Sequence, residues 1–205
     1  TKRALDAAGS AVLLVLLSPV VAAIAVLVKA TSHGPIFFRQ ERIGRYGRPF
    51  RMLKFRTMYG DSDPAIHREY GEMFIQSGTG RAEERRGVYK IVDDPRMTRI
   101  GHVLRRSSLD EVPQFWNVLV GEMSLVGPRP PVLYEVSKYR SWHLRRVLEV
   151  KPGMTGLWQV TGRSQTTFDE MVRLDLRYAR HRSLWMDLKI LAATPRAVLS
   201  GKGAH

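Results

Sequence analysis

The longest apolar stretch of the chain, residues 7–28 (AAGSAVLLVLLSPVVAAIAVLV), holds no charged side chain. At 1.5 Å per residue it makes a helix of roughly 33 Å, long enough to cross a bilayer. It is too long for a signal peptide, and no cleavage-like site follows it. Ser18-Pro19 stands at its centre, where proline removes a backbone hydrogen bond and bends a helix. The carbonyl left over lies near Val15, and in hydrocarbon it needs another donor, which the Ser18 hydroxyl or a nearby chain can supply. Basic residues flank both ends, Lys2 and Arg3 before it and Lys29, Arg39, Arg42, Arg45 and Arg48 after it. Positive charge stays on the cytoplasmic side, so both flanks ask for the same side. The run's length by itself favours a kinked span, and the flanks favour a helix that enters, breaks at Ser18-Pro19 and returns.

Beyond the apolar run, short alternating segments with Gly and Pro between them predict a β-hairpin with a basic tip over residues 34–58. Alternation places Phe50, Met52, Lys54 and Arg56 on one face and Leu53, Phe55 and Thr57 on the other. Lys54 and Arg56 can hold a phosphate together, or they form a solvated basic edge. Residues 59–94 are polar and weakly patterned, with a helix over 65–75 and then an exposed loop around Gly78, Gly80 and AEERR, which reads as an insertion. Residues 97–106 predict a short amphipathic helix. Residues 132–150 interleave Tyr134, Tyr139 and Trp142 with Arg140, Arg145 and Arg146. That pattern suits a membrane interface, or equally a helix packing its aromatics inward. Residues 168–182 and 184–199 read as two structural amphipathic helices, with Leu184, Leu188 and Leu191 on one stripe. The fold class is α/β of the α+β kind, mostly helical with a small β-hairpin.

A net charge of +14 and a pI of 10.6 over 205 residues call for an anionic partner: nucleic acid, acidic lipid or a phosphorylated substrate. With no cysteine, a disulfide scaffold and cysteine-ligated metal are excluded, which fits a cytoplasm-facing protein. The six histidines show no i, i+4 metal spacing. The chain begins at Thr1, so it reads as trimmed or as a piece of a longer protein.

The chemistry concentrates in residues 107–131, SSLDEVPQFWNVLVGEMSLVGPRPP. Asp110 and Glu111 are adjacent carboxylates at the start of an apolar, helix-like run. Ser108 to Glu111 has the spacing of a capping box, but Pro113 would then break a bond inside the helix. With Asp110 as N-cap, Pro113 falls harmlessly in the first turn. A carboxylate at a helix start is held ionised, the form that suits a nucleophile or a metal ligand. The Gly-Pro-Arg-Pro turn aims Arg129 from a stiff backbone. In residues 152–163, Gly153, Gly156 and Gly162 allow backbone to approach a ligand closely, and Arg163 can bind phosphate with two prongs.

Three blocks in order, KFRTM at 54–58, SLDEVPQFWNVLVGEMSLVGPRP at 108–130 and KPGMTGLWQVTGR at 151–163, resemble those of the monotopic polyprenyl-phosphate phosphoglycosyltransferases, the bacterial sugar transferases. The likeness covers nearly the whole chain; its Gly-Ala-His205 end is a small departure from a family Gly-Ala-aromatic. It implies transfer of a sugar 1-phosphate from a nucleotide diphosphate sugar, a UDP-sugar, to polyprenyl (undecaprenyl) phosphate. This would be the first membrane step of exopolysaccharide, O-antigen or glycoprotein glycan synthesis, at the cytoplasmic face of the bacterial inner membrane. The resemblance gives Asp110 the role of nucleophile at the sugar-bearing phosphorus, leaving a phosphosugar on the aspartate for the lipid phosphate to collect. Glu111 would bind or orient metal and substrate, and Asp110 and Glu111 together would hold Mg2+. Lys54, Arg56, Arg105, Arg129 and Arg163 would clamp phosphates, with Arg106 the rival of Arg105. Residues 1–30 would be a re-entrant membrane helix broken at Ser18-Pro19, and residues 31–205 a catalytic domain with surface-associated amphipathic helices. The implied partners are the nucleotide diphosphate sugar, polyprenyl phosphate and inner-membrane lipid, with a homodimer left open and nucleic acid not expected. Two rivals stay open. One is a single displacement in which Asp110 is only a metal ligand. The other is a membrane-anchored basic nucleic-acid-binding module, although its arginines would be spread over blocks and no helix-turn-helix, RNA-recognition or zinc signature accompanies them.

Overall fold

A computed structural model describes residues 1–60, 65–76, 94, 96–161 and 166–199. The apolar run forms two helices, α1 (Lys2–Leu16) and α2 (Ser18–Thr31), bent by 62° at Leu17. Pro19 lies in the first turn of α2, and the Ser18 hydroxyl donates to Val15 O at 2.8 Å, the donor expected there. Among the described residues no single helix is long and apolar enough to cross a membrane, but this bent pair meets that test together.

Both outer ends of the pair are tied to the rest of the chain. Near the start of α1, Arg3 donates to Val118 O and Leu119 O, each at 2.5 Å, and Lys2 meets Asp187 at 2.7 Å. Buried Asp6 accepts from Ser124 Oγ at 2.8 Å. At the far end of α2, the Arg56 guanidinium donates to Ser32 O and His33 O, both at 2.7 Å.

The hairpin pairs β1 (Phe37–Ile43) with β2 (Pro49–Phe55) antiparallel, Phe37 opposite Phe55 and Ile43 opposite Pro49. Its alternation is as expected. Phe50 and Met52 pack on Val118 and Met123, whereas Phe55 packs on Ile24, Val28 and Leu104.

There follow α3 (Ala65–Gln76), α4 (Arg99–Ser107), a 3-10 turn (Leu109–Glu111) and α5 (Gln114–Val120). Then come β3 (Ser124–Val126), α6 (Leu133–Val136), α7 (Ser141–Leu148), β4 (Gly153–Thr155), α8 (Leu157–Thr161), α9 (Phe168–His181) and α10 (Leu184–Leu199). Thr98 caps α4 by accepting from Gly101 N–H at 3.0 Å.

Three points are decided. Gly153 and Gly156 of the 152–163 block serve the chain's own backbone: β3 and β4 run parallel, and a Cβ on either would strike the backbone of Gly127, while Gly153 also lines the cavity that holds Asp110. Tyr139 and Trp142 pack inward against the cluster of Ile75, Trp158, Phe168 and Met171, so the aromatic-arginine segment takes its structural alternative. Of the leucine stripe of α10 only Leu191 turns to the core. Leu184 and Leu188 are 41% and 56% exposed, while Ile190 and Leu191 pack with Val126 and Tyr178. Residues 61–64, 77–93 and 95, most of the expected insertion, lie outside the described residues, as do Gly162 and His205.

Candidate active site

Ser108 holds a left-handed backbone (φ 58°), which ends α4 and throws the chain into the turn that carries the two carboxylates. Neither Ser108 nor Asp110 caps α5, which begins at Gln114 with Pro113 as its N-cap. The carbonyl that Pro113 would leave unpaired, Leu109 O, instead accepts from Val112 N–H at 3.3 Å. The tight turn thus makes the proline harmless by a route other than the expected one. With α5 only seven residues long, the charge facing the dyad comes from side chains, not from a helix dipole.

Lys54, projecting from β2, brings its ammonium 2.8 Å from Glu111 Oε1 and 3.9 Å from Asp110 Oδ2. Asp110 is the more enclosed carboxylate, with 8% of its side chain exposed against 35% for Glu111. Arg105, on the last turn of α4, is half-buried and reaches Met97 Sδ at 3.3 Å. Burial pushes its pKa down; the carboxylates of Asp110 and Asp94 push it back up, and Arg96 and Arg129 oppose them. Arg105 therefore lies within electrostatic reach of both Asp110 and Arg129, whereas Arg106 is exposed.

Lys54, Asp110 and Glu111 share a cavity of about 620 Å³, whose lining does not include Arg105. Lys54, Asp110, Glu111, Arg129 and Arg42 make it polar, while Val12 and Leu13 of α1 and Leu191 and Val198 of α10 give it apolar walls. A cavity so divided suits an anionic head on an apolar chain.

The model of the bacterial sugar transferase family matches residues 1–201. The chain belongs to that family. The chain is 44% identical over 209 residues to the galactosyl transferase CpsE of Streptococcus agalactiae, covering 99% of this chain and 43% of CpsE. It is 40% identical to the exopolysaccharide production protein ExoY of Rhizobium meliloti, covering 100% of this chain and 88% of ExoY. It is also 40% identical to a UDP-glucose:undecaprenyl-phosphate glucose-1-phosphate transferase of Klebsiella pneumoniae, covering 100% of this chain and 41% of that protein. The chain thus spans about two-fifths of the length of CpsE and of the Klebsiella protein.

Of the candidate site residues, Lys54, Asp110, Glu111 and Arg129 line one cavity, and Arg105 lies outside its lining but within electrostatic reach of Asp110. Arg56 does not join them. It is 5% exposed, and its guanidinium is spent on the carbonyls that end α2. Arg163 lies outside the described residues. The sequence reading overlooked Arg42, which lines the cavity, and took Arg146 for a surface or interface residue although it is 2% exposed. For Arg42, the hairpin register was the available signal, since it pairs with Phe50 and so shares the face of Phe50, Met52 and Lys54. Arg146 sits 2.8 Å from Asp175, whose carboxyl burial raises to about 6 while Arg146 pulls it down.

Among the described residues no cluster of three or more His, Asp or Glu is placed to hold a metal. The adjacent carboxylates still fit Mg2+, which takes one or two carboxylates and completes its shell with water and substrate phosphate oxygens.

Proposed function

We propose that this chain transfers a sugar 1-phosphate from a UDP-sugar to undecaprenyl phosphate, through a phosphosugar covalently held on Asp110. The observation that carries this reading is the cavity in which Asp110 and Glu111, ringed by Lys54, Arg129 and Arg42, open onto apolar walls from α1 and α10. The relatives' names support it: one is a galactosyl transferase, and another takes UDP-glucose and undecaprenyl phosphate.

An Asp110 carboxylate oxygen attacks the sugar-bearing phosphorus, and the bond to the bridging oxygen breaks, its electron pair leaving with uridine monophosphate. A phosphate oxygen of the lipid then attacks the same phosphorus. The aspartyl bond breaks, the carboxylate is restored, and polyprenyl diphosphate sugar departs. Lys54, Arg105 and Arg129 neutralise the phosphoryl oxygens in the transition state, and Arg163 is assigned the same task from its motif. Mg2+ held by Asp110 and Glu111 would add charge neutralisation on the diphosphate.

Residues 1–30 serve as a re-entrant anchor on the cytoplasmic face of the inner membrane, and residues 31–205 as the catalytic part, with 59–94 an insertion. The tethering of both ends of the bent pair to the rest of the chain supports this, since a pair held at both outer ends can enter the bilayer at its bend without carrying either end across.

Incubation with Mg2+ and a UDP-sugar but no lipid should leave a phosphosugar on Asp110, detected by mass spectrometry of the quenched protein. Asp110→Asn should lose both adduct and turnover. Full turnover with no adduct in the donor-only reaction means single displacement. A panel running from UDP-glucose to UDP-galactose identifies the sugar by monophosphate release.

A further inference from the structure

Three of the five residues from Gly127 to Pro131 are prolines, so the turn that bears Arg129 offers few N–H groups by which to be held. Its carbonyls do that work instead. Pro128 O accepts from Gly153 N–H at 2.8 Å, Arg129 O from Arg146 Nη2 at 3.1 Å, Pro130 O from Arg42 Nη1 at 2.9 Å and Pro131 O from Ile43 N–H at 2.9 Å. Two of these four donors are guanidinium groups in the interior, Arg42 at 3% and Arg146 at 2% exposure.

Burying a cation is costly, and each of the two is steadied separately. Arg42 Nε and Nη2 donate to Gln40 Oε1 at 3.0 and 2.6 Å. Arg146 lies 2.8 Å from Asp175 of α9, whose side chain is 1% exposed. Both cations, brought from distant parts of the chain, converge on neighbouring carbonyls of one turn.

We propose that Arg42 and the Arg146–Asp175 pair are positioning residues: by gripping the carbonyls of Arg129 and Pro130 they fix the turn and aim the Arg129 side chain at Asp110 and Glu111. This rests on the phosphosugar-transfer reading. A loosened turn leaves Arg129 present but displaced, and a misplacement of about 1 Å in a clamp can cost on the order of 10²-fold in rate.

The test is a mutant cycle read as monophosphate release from UDP-sugar with undecaprenyl phosphate. The double variant Arg146→Met/Asp175→Leu replaces the ion pair with apolar groups of similar size, an exchange that interiors tolerate. It should melt close to the unaltered protein yet lose on the order of 10- to 10²-fold in kcat/KM. In an Arg129→Ala background the same exchange should change little, because its effect runs through Arg129. Arg42→Gln carries the same cycle independently if the double variant does not fold. Unchanged kcat/KM, or losses that multiply in full with that of Arg129→Ala, overturns the proposal. The second outcome from Arg42→Gln would mean that Arg42 meets the substrate itself. Failure of the underlying reading looks different, since the unaltered chain would then release no monophosphate from any UDP-sugar.

Discussion

Lys54 and Arg56 stand two positions apart on one strand face, and what each one touches separates their roles. The Lys54 ammonium meets Glu111 at 2.8 Å beside the cavity, whereas Arg56 supplies donors to the Ser32 and His33 carbonyls that α2 leaves unsatisfied at its end. Lys54→Ala should therefore lower kcat/KM by on the order of 10²-fold with little change in melting temperature. Arg56→Ala should do the reverse. With these part-buried carbonyls left without their donor it should cost about 1–3 kcal/mol of stability, while KM for the UDP-sugar holds. Thermal melts and steady-state kinetics on the two variants separate these outcomes. If Arg56→Ala instead raises KM without destabilising, its guanidinium reaches substrate and the capping role is secondary.

At the scale of the element, the break between α1 and α2 is built from two adjacent residues. Pro19 has no N–H to give, and the Ser18 hydroxyl takes over by donating to Val15 O, which holds the 62° bend. Ser18→Ala with Pro19→Ala restores a continuous ladder and favours a straight helix that crosses the bilayer. The chain has no cysteine of its own, so Thr1→Cys and His33→Cys report on each end without disturbing the tethers of Lys2, Arg3 or Arg56. In intact cells a membrane-impermeant thiol reagent should label neither position. In the Ala-Ala background it should label residue 1, and activity should fall. Labelling of residue 1 in the chain with its Ser-Pro intact would exclude the re-entrant anchor.

For the whole molecule, the bent helix pair is also a wall of the cavity. Gly9, Val12 and Leu13 line the same cavity as Asp110, Arg3 covers the carbonyls that end α5, and Lys2 neutralises Asp187, which accepts from the Tyr178 hydroxyl at 2.7 Å. Deleting residues 1–31 would expose Ile24's partners Phe55 and Leu104 and leave Asp187 without its cation. The expected result is not a soluble active enzyme but an aggregating or unfolded one. Circular dichroism and gel filtration of the truncated chain check this, and a folded, active truncation would overturn it.

Much was legible locally. The uncharged run with a central Ser-Pro, the alternation of the hairpin, helices at 65–76, 99–107, 168–181 and 184–199, and the Asp110-Glu111 pair beside a proline-rich turn are all properties of near neighbours in the chain, and periodicity or backbone chemistry states them directly. What tertiary structure alone decided were matters of who meets whom. The three-residue strands β3 and β4 are too short to signal themselves, and they pair only because Gly127, Gly153 and Gly156 let two distant backbones touch. The stripe of Leu184, Leu188 and Leu191 looked like a core face, yet only Leu191 joins Ile190 against Val126 and Tyr178, and the other two are exposed. An arginine reads the same in sequence whether it will clamp phosphate, end a helix or grip a turn. Arg129 lines the cavity, Arg56 ends α2 and Arg146 grips a turn because the interior tolerates a guanidinium only where the fold has placed acceptors for it, and those acceptors come from remote segments.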